Sequence, residues 1–228
     1  MKKVGVLVFP GSNCDYDAYY GVKKVLGQDA EFVWHKDKKL RYYDALVIPG
    51  GFSYGDYLRA GAIARFSPVM DSVVEYVEKG NPVIGICNGF QILVEMNLLP
   101  GALIPNDHLK FRCDDIHLKV INNESKFTTR FDKNEVIKMP IAHQSGNYYA
   151  EDDVIEELEQ ENRIVFKYCD RAGNITEDAN PNGSIKNIAG ILNKEGNVLG
   201  MMPHPERAME PILQSTDGAD IFKSLLEI

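Results

Sequence analysis

The sequence predicts an α/β protein: one open, mostly parallel sheet with helices on both faces and some antiparallel strands. Three features lead there. Short, uniformly apolar runs at 4–9, 45–48 and 82–86 match strands buried on both faces of a parallel sheet. Segments with helical signals alternate with them up to Pro100. Beyond it, Asp115-Ile116-His117-Leu118-Lys119-Val120 alternates polar with apolar, the mark of a strand wet on one face and paired antiparallel. At 228 residues, with no internal repeat and no linker-like stretch, the chain is expected to form a single domain over 1–228. A chain of this size buries roughly 70–75% of its unfolded surface, so its core needs no staples.

Taken in order, residues 4–9 form the first strand, followed by a Pro10-Gly11-Ser12-Asn13 turn and a helix over 15–26 that Gly27 stops. Cys14, at that helix start, has no flanking glycines and reads as structural. Residues 31–34 and 45–49 are the next strands, and the third runs into Gly50-Gly51-Phe52-Ser53-Tyr54-Gly55-Asp56. Glycines this dense after a strand mark a loop whose backbone approaches something closely. Ser67 caps a helix with Pro68 in its first turn; Val69, Val73, Val74 and Val77 form its apolar stripe, and Gly80 ends it. The fourth strand, 82–86, leads into a buried helix through Phe90 to Met96. Later strands are expected at 115–120, 135–142, 164–168, 188–192 and 198–201, the last two joined through Lys194-Glu195-Gly196-Asn197. A helix capped by Asp152 or Asp153 runs to Gln160, and 218–226 is the closing helix. The stretch 169–183, rich in Asn, Asp and Gly, reads as the most mobile loop.

Composition excludes several roles. A net charge of −8, from 25 basic and 33 acidic residues, argues against nucleic-acid binding, whose usual footprint is a basic patch. Cys14, Cys87, Cys113 and Cys169 form no Cys-x-x-Cys and no Cys/His cluster along the chain, so no metal is expected. The first apolar run meets Pro10-Gly11 too early for a signal peptide, and no stretch approaches the ~20 apolar residues that span a bilayer. A cytoplasmic protein with reduced thiols and no membrane association is expected.

The chemistry concentrates at Gly85-Ile86-Cys87-Asn88-Gly89-Phe90-Gln91. A cysteine with a glycine two places to either side, between a strand and a helix, is the sulfur version of the nucleophile elbow. The sharp turn exposes the sulfur above the sheet, and the positive end of the following helix stabilises negative charge on it. A buried structural cysteine would look the same in isolation, so the reading needs a base elsewhere. Straight after the last strand, Met202-Pro203-His204-Pro205-Glu206 supplies one. In extended backbone His204 and Glu206 project to one side, and the prolines stiffen the segment. A base beside its own orienting carboxylate is the second half of a triad. His35, His108 and His117 sit in polar or alternating contexts and read as surface residues; His143 ends a strand and is a weaker candidate for the site rim.

These two segments together resemble the class I, or triad, glutamine amidotransferases, a flavodoxin-like fold. Pro49-Gly50-Gly51-Phe52-Ser53-Tyr54-Gly55-Asp56-Tyr57-Leu58-Arg59-Ala60-Gly61-Ala62 narrows the resemblance to one family, as do Phe111-Arg112-Cys113, Asn180-Pro181-Asn182-Gly183-Ser184 and Gly200-Met201-Met202-Pro203-His204-Pro205-Glu206-Arg207. It is the glutaminase subunit of phosphoribosylformylglycinamidine synthase, from purine biosynthesis. The resemblance runs from Val4 to about Leu226. Two departures stand out: Gln144-Ser145-Gly146 replaces the usual Gly-Glu-Gly after the strand-end histidine, and the polar loop before Asn180 is longer.

The resemblance implies that Cys87 attacks the side-chain amide of L-glutamine and that His204, oriented by Glu206, moves the protons. Backbone amides of Gly51 and Asn88 would hold the oxyanion, and Gln91, one helical turn past the nucleophile, would contact the substrate. It also implies two partners: a large synthetase subunit, which uses ATP and Mg to aminate formylglycinamide ribonucleotide with the ammonia released, and a small third subunit. This chain would need no cofactor of its own and shows no phosphate-binding loop. Two alternatives stay open at this stage, a stand-alone cysteine hydrolase of the same fold and a catalytically silent assembly subunit.

Overall fold

The computed structural model describes residues 1–228. In chain order the strands are β1 (Lys3–Val8), β2 (Asp29–Trp34), β3 (Ala45–Ile48), β4 (Val83–Ile86), β5 (Ala102–Ile104) and β6 (Arg112–Val120). Then come β7 (Val136–His143), β8 (Asn147–Tyr149), β9 (Ile164–Cys169), β10 (Ile188–Leu192) and β11 (Val198–Met201). The helices are α1 (Asp15–Tyr20), α2 (Pro68–Glu78), α3 (Asn88–Glu95), α4 (Asp152–Gln160) and α5 (Asp217–Leu226).

Nine strands form one sheet in the order β2-β1-β3-β4-β11-β10-β9-β6-β7. Its first five positions pair in parallel, and from β11 onward every pairing is antiparallel. The divide follows the sequence pattern. β3 and β4 are buried at every residue, as strands covered on both faces must be, whereas the second half of β6 and the whole of β7 alternate. A single cluster of 59 buried apolar residues runs through both halves of the sheet.

Several local expectations are corrected. The helix expected over 15–26 is α1 followed by a π-helical turn, Gly21–Val25. Ser67 precedes α2 but makes no capping bond; its hydroxyl meets Tyr54 Oη at 2.9 Å instead. The N-cap of α4 is Glu151, with Asp152 and Asp153 inside the first turn. β5 and β8 form a small two-stranded sheet the sequence did not suggest, each being only three residues long. His35 is buried rather than on the surface, and Tyr54 Oη lies 2.7 Å from its Nδ1.

The loop 169–183 is tied down at several points. Asp170 closes a turn on Asn174, and Asn182, fully buried, reaches into the sheet half that carries β7 and β9. Its polar composition signalled a loop correctly, but side-chain amides that satisfy buried backbone groups are also polar.

The elbow glycines have a packing reason. α3 lies so close to β3 that a Cβ on Gly89 would collide with the Ile48 carbonyl oxygen, a backbone atom that cannot swing aside. Gly89→Ala is therefore expected to destabilise the fold by about 1–3 kcal/mol or more through overpacking. Equilibrium urea unfolding measures it, and a variant as stable as the parent would show that α3 can move.

Candidate active site

Three loops converge where β3, β4 and β11 end side by side. The register pairs Ile48 with Gly85 and Met201 with Ile86, so Gly50-Gly51, Cys87 and the 202–204 segment leave the sheet at one edge. Cys87 extends the ladder by one bond, its N–H donating to the Met201 carbonyl at 2.8 Å. It then turns through φ 51°, ψ −104°, a left-handed conformation that costs a non-glycine residue energy and marks functional positions. α3 begins at the next residue, so amides with no intrahelical acceptor stand beside the sulfur.

The base segment is bent, not extended as the sequence suggested. His204 (φ −104°, ψ 89°) leads into a 3-10 turn, Pro205–Arg207, and this turn carries Glu206 back to the imidazole. His204 Nδ1 donates to Glu206 Oε1 at 2.6 Å, and both side chains are buried. The His204 amide donates to the Pro140 carbonyl at 2.9 Å, fixing the segment to β7. An ionised carboxylate can only accept, so the hydrogen sits on Nδ1. In the neutral imidazole the lone pair is then on Nε2, an atom that is buried and without a hydrogen-bond partner. Burial disfavours the charged imidazole, but the Glu206 carboxylate and the neighbouring Cys87 and Cys14 outweigh it and raise His204 well above its ordinary value.

Two cysteines flank this histidine. A Cβ placed on Gly50 would meet His204 Cε1 at 2.7 Å, Cys14 Sγ at 3.1 Å and Cys87 Cβ at 3.4 Å, so all three converge on one bare α-carbon. Of the two, Cys87 lines a cavity of about 550 Å³ and occupies the strained elbow. Cys14 lies behind, where Arg207 Nη2 donates to its sulfur at 3.1 Å. No local sequence signal reports this second contact, because it is made across the sheet edge.

Backbone geometry places donors at the cavity wall. The Gly50 carbonyl accepts from the Asn13 and Cys14 amides at 3.3 and 3.2 Å. In a trans peptide the next N–H points the opposite way, so the Gly51 amide faces away from α1, and it donates to no acceptor in the chain. Asn88 carries the other donor. Its side chain accepts from the Ser53 amide (3.1 Å) and donates to Gln91 Oε1 (3.0 Å) and Asp56 Oδ1 (3.3 Å), stitching the elbow to the glycine-rich loop.

Gln91 lines the cavity, with its amide nitrogen donating to the Ser145 carbonyl at 2.6 Å. His143 is also on the wall. Asn182 Nδ2 donates to its Nε2 at 3.0 Å, and burial, aided by the positive charges of His204, His108 and Arg112, pushes it down to about 3, so it is neutral. His108 is exposed and His117 half-buried, both outside the cavity wall.

The CobB/CobQ-like glutamine amidotransferase domain matches residues 1–223. A phosphoribosylformylglycinamidine synthase subunit PurQ of Moorella thermoacetica is 55% identical over 99% of this chain and 95% of the relative. Its namesake in Aquifex aeolicus is 53% identical over 98% of this chain and 99% of the relative. The chain belongs to the PurQ family of glutamine amidotransferases. A chain in the solved PurLQS structure from Thermotoga maritima superposes with a TM-score of 0.88 at 43% identity, covering 100% of this chain and 99% of that one. A second solved protein of Thermotoga maritima, described as a glutamine amidotransferase, shares the fold at 14% identity and a TM-score of 0.61, covering 99% of this chain and 96% of its own.

Within the PurQ family the Gln144-Ser145-Gly146 departure acquires a physical reading. The contacts made there use main-chain atoms: the Ser145 carbonyl accepts from Gln91, and the Gly146 amide donates to Asn106 Oδ1 at 3.0 Å. A change of side chain leaves both bonds in place.

Asp56 is the titrating member of the Asn88 network. Burial, opposed by the Asn88 hydrogen bond, pushes its carboxyl up to about 6. The unfolded carboxyl ionises near 3.9, so ionisation costs stability from that pH upward and the full cost is reached above 6. Asp56→Asn, a residue that tolerates the positive φ of 53° here, is expected to raise Tm at pH 8 and to leave it unchanged at pH 4. A Tm difference that did not vary with pH would refute the assignment.

Proposed function

We propose that this chain is the glutaminase subunit of a phosphoribosylformylglycinamidine synthase, hydrolysing glutamine to glutamate and ammonia for an ATP-dependent synthetase subunit in purine biosynthesis. The observation that carries the reading is the convergence of Cys87, His204–Glu206 and the free Gly51 amide at one sheet edge. The identity to PurQ subunits over nearly the full chain supplies the partners: the large synthetase and the small subunit of a PurLQS-type assembly. No helix is long and apolar enough to cross a membrane, and the proposed site of action is the cytoplasm.

In the proposed mechanism His204 Nε2 takes the thiol proton of Cys87, and the sulfur attacks the glutamine side-chain carbonyl carbon. The Gly51 and Asn88 amides receive the negative oxygen of the tetrahedral intermediate, an arrangement in which each donor is worth about 10²–10³ in rate. The C–N bond breaks as His204 gives its proton to the leaving ammonia, forming a glutamyl thioester. Water, activated by His204, then attacks the thioester, and glutamate leaves with the thiol restored. Glu206 holds the Nδ1–H tautomer and stabilises the imidazolium. Gln91, engaged with Ser145, contributes to the substrate wall. None of these steps uses a cofactor.

The mouth of the cavity carries apolar side chains that a partner would cover. Phe52 (44%), Leu58 (89%) and Ile104 (39%) line it, and Phe111 (49%), its ring tilted beside that of Phe52, extends the rim. Exposed aromatic and aliphatic groups clustered around a mouth are the composition of an interface.

Two experiments test the reading. Cys87→Ala should abolish glutamate release yet leave the assembled synthetase able to use free ammonia. His204→Ala should cost nearly as much, since triad members act as a unit, and Glu206→Gln less. Appreciable glutamate release by Cys87→Ala would sink the assignment, and equally small losses at His204 and Glu206 would reduce their contact to a structural ion pair.

The second measures steady-state glutaminase activity of the purified chain, then with synthetase, nucleotide and the small subunit. Activity should rise on assembly, and Leu58→Asp should lower the apparent affinity for the synthetase by about tenfold or more, as expected for a rim anchor. Full activity in the lone chain, unchanged by partners, would remove the coupling from the proposal.

A further inference from the structure

Cys14 is the buried group that this mechanism leaves unused. It lies beside the catalytic histidine, on the flank away from the cavity that Cys87 lines. One ligand atom each from Cys14, His204 and Glu206 falls within 4.8 Å of the others, and all three residues are buried. Two of the polar atoms there, His204 Nε2 and Glu206 Oε2, have no hydrogen-bond partner, in side chains 2% and 0% exposed. Unsatisfied buried acceptors are rare, because each costs its full desolvation.

A sulfur, an imidazole nitrogen and a carboxylate oxygen form a donor set with a preference. Thiolate and imidazole select soft and borderline cations, Zn2+ above all, over Mg2+ or Ca2+, which demand oxygen. Three protein ligands leave the fourth tetrahedral position to water or to a neighbouring group. Cys14 must give up its proton, which passes to solvent as the metal–sulfur bond forms. The Arg207 guanidinium at 3.1 Å favours the resulting thiolate and stays anchored by its Nε bond to Asp17 (3.0 Å).

We propose that Cys14, His204 and Glu206 form a binding site for a thiophilic divalent cation, with Zn2+ the best match, and that its occupation stops the glutaminase chemistry. The inhibitory half rests on the reading of His204 as the base: a cation held between Cys14, Glu206 and the imidazole takes Nδ1, the nitrogen that faces Glu206, so the ring proton moves to Nε2 and the lone pair that must receive the Cys87 proton is lost. The binding half stands on the cluster alone. It differs from the ordinary inactivation of a cysteine enzyme by zinc, in which the nucleophile itself is the sulfur ligand.

The test uses the full-length chain with Co2+ as spectroscopic probe and Zn2+ in competition with a chromophoric chelator. Cys87→Ser should keep the thiolate-to-cobalt charge-transfer absorption and the parent's Zn2+ affinity. Cys14→Ser should lose the absorption and at least about tenfold in affinity, the usual penalty for disturbing a metal shell. In the assembled complex, the Zn2+ concentration that halves glutamate release should rise by a similar factor in Cys14→Ser, measured against that variant's own metal-free rate.

Unchanged binding in Cys14→Ser, or binding abolished by Cys87→Ser, would overturn the site. Should Cys14→Ser fail to fold, X-ray absorption on Zn2+-loaded Cys87→Ser decides instead. One sulfur at about 2.3 Å with nitrogen and oxygen near 2.0–2.2 Å is expected, and a shell without sulfur overturns it. Glutamate release that survived in Cys87→Ser would refute the catalytic reading and leave the metal measurement intact.

Discussion

Because β4 is flanked by β3 on one side and β11 on the other, all running parallel, three loops leave the sheet together, and each supplies one part of the site. A one-residue slip of any of these strands would turn its side chains to the other face of the sheet and break the core at once, since all three are buried along their whole length. The stability of the sheet thus fixes the site geometry at no separate cost. The strained φ of Cys87 is held the same way, by a ladder bond before it, a helix after it, and a bare α-carbon at Gly50 against which the cysteine and histidine close.

Electrostatics divides the two buried histidines of the site. His204 is raised and His143 is lowered to about 3, although both sit at the same sheet edge. The difference lies in their partners. Glu206, two residues on, offers an anion to one, while Asn182 offers only an amide N–H to the other. A neutral His143 also spares the pocket a cation beside His204, which would lower the basicity of that imidazole. Burying an ion pair rarely stabilises a fold, so the His204–Glu206 pair is better understood as chemistry tolerated by the core than as a structural clasp.

What the sequence made legible is what depends on near neighbours. The Gly-x-Cys-x-Gly spacing encodes a steric need within five residues, and Pro203-His204-Pro205-Glu206 sets a histidine beside a carboxylate, so the side chains that the structure brings together could be named from short stretches of sequence. Even there the backbone between them was misjudged: a 3-10 turn, not a pleat, joins His204 to Glu206. Contacts between distant segments left no trace. Cys14 meets His204 across 190 positions of chain, His35 is buried by Tyr54 from another loop, and Asn182 pins a stretch that composition marked as loose. The three-residue strands β5 and β8 carry too little periodicity to announce themselves.

The glycine-rich loop separates into two mechanical parts. At one end the Gly50 carbonyl is held by two amides of the α1 entrance, and Ser53 N–H is held by Asn88, so the Gly51 donor is fixed from both sides. Further on, Tyr54, Gly55, Asp56 and Leu58 all have positive φ, and Tyr57 and Leu58 project into solvent at 74% and 89% exposure. The Tyr54 and Gly55 amides bond back to the Pro10 and Phe52 carbonyls, and a side-chain bridge, Asp56 to Asn88, reaches the elbow itself. In the proposed complex, a partner seated on Tyr57 and Leu58 would act on this sheet edge through that bridge, at the residue whose own amide is proposed as the second oxyanion donor. The strain in the exposed segment then has a use: a run held in sparsely populated conformations by its surroundings responds when a partner changes those surroundings.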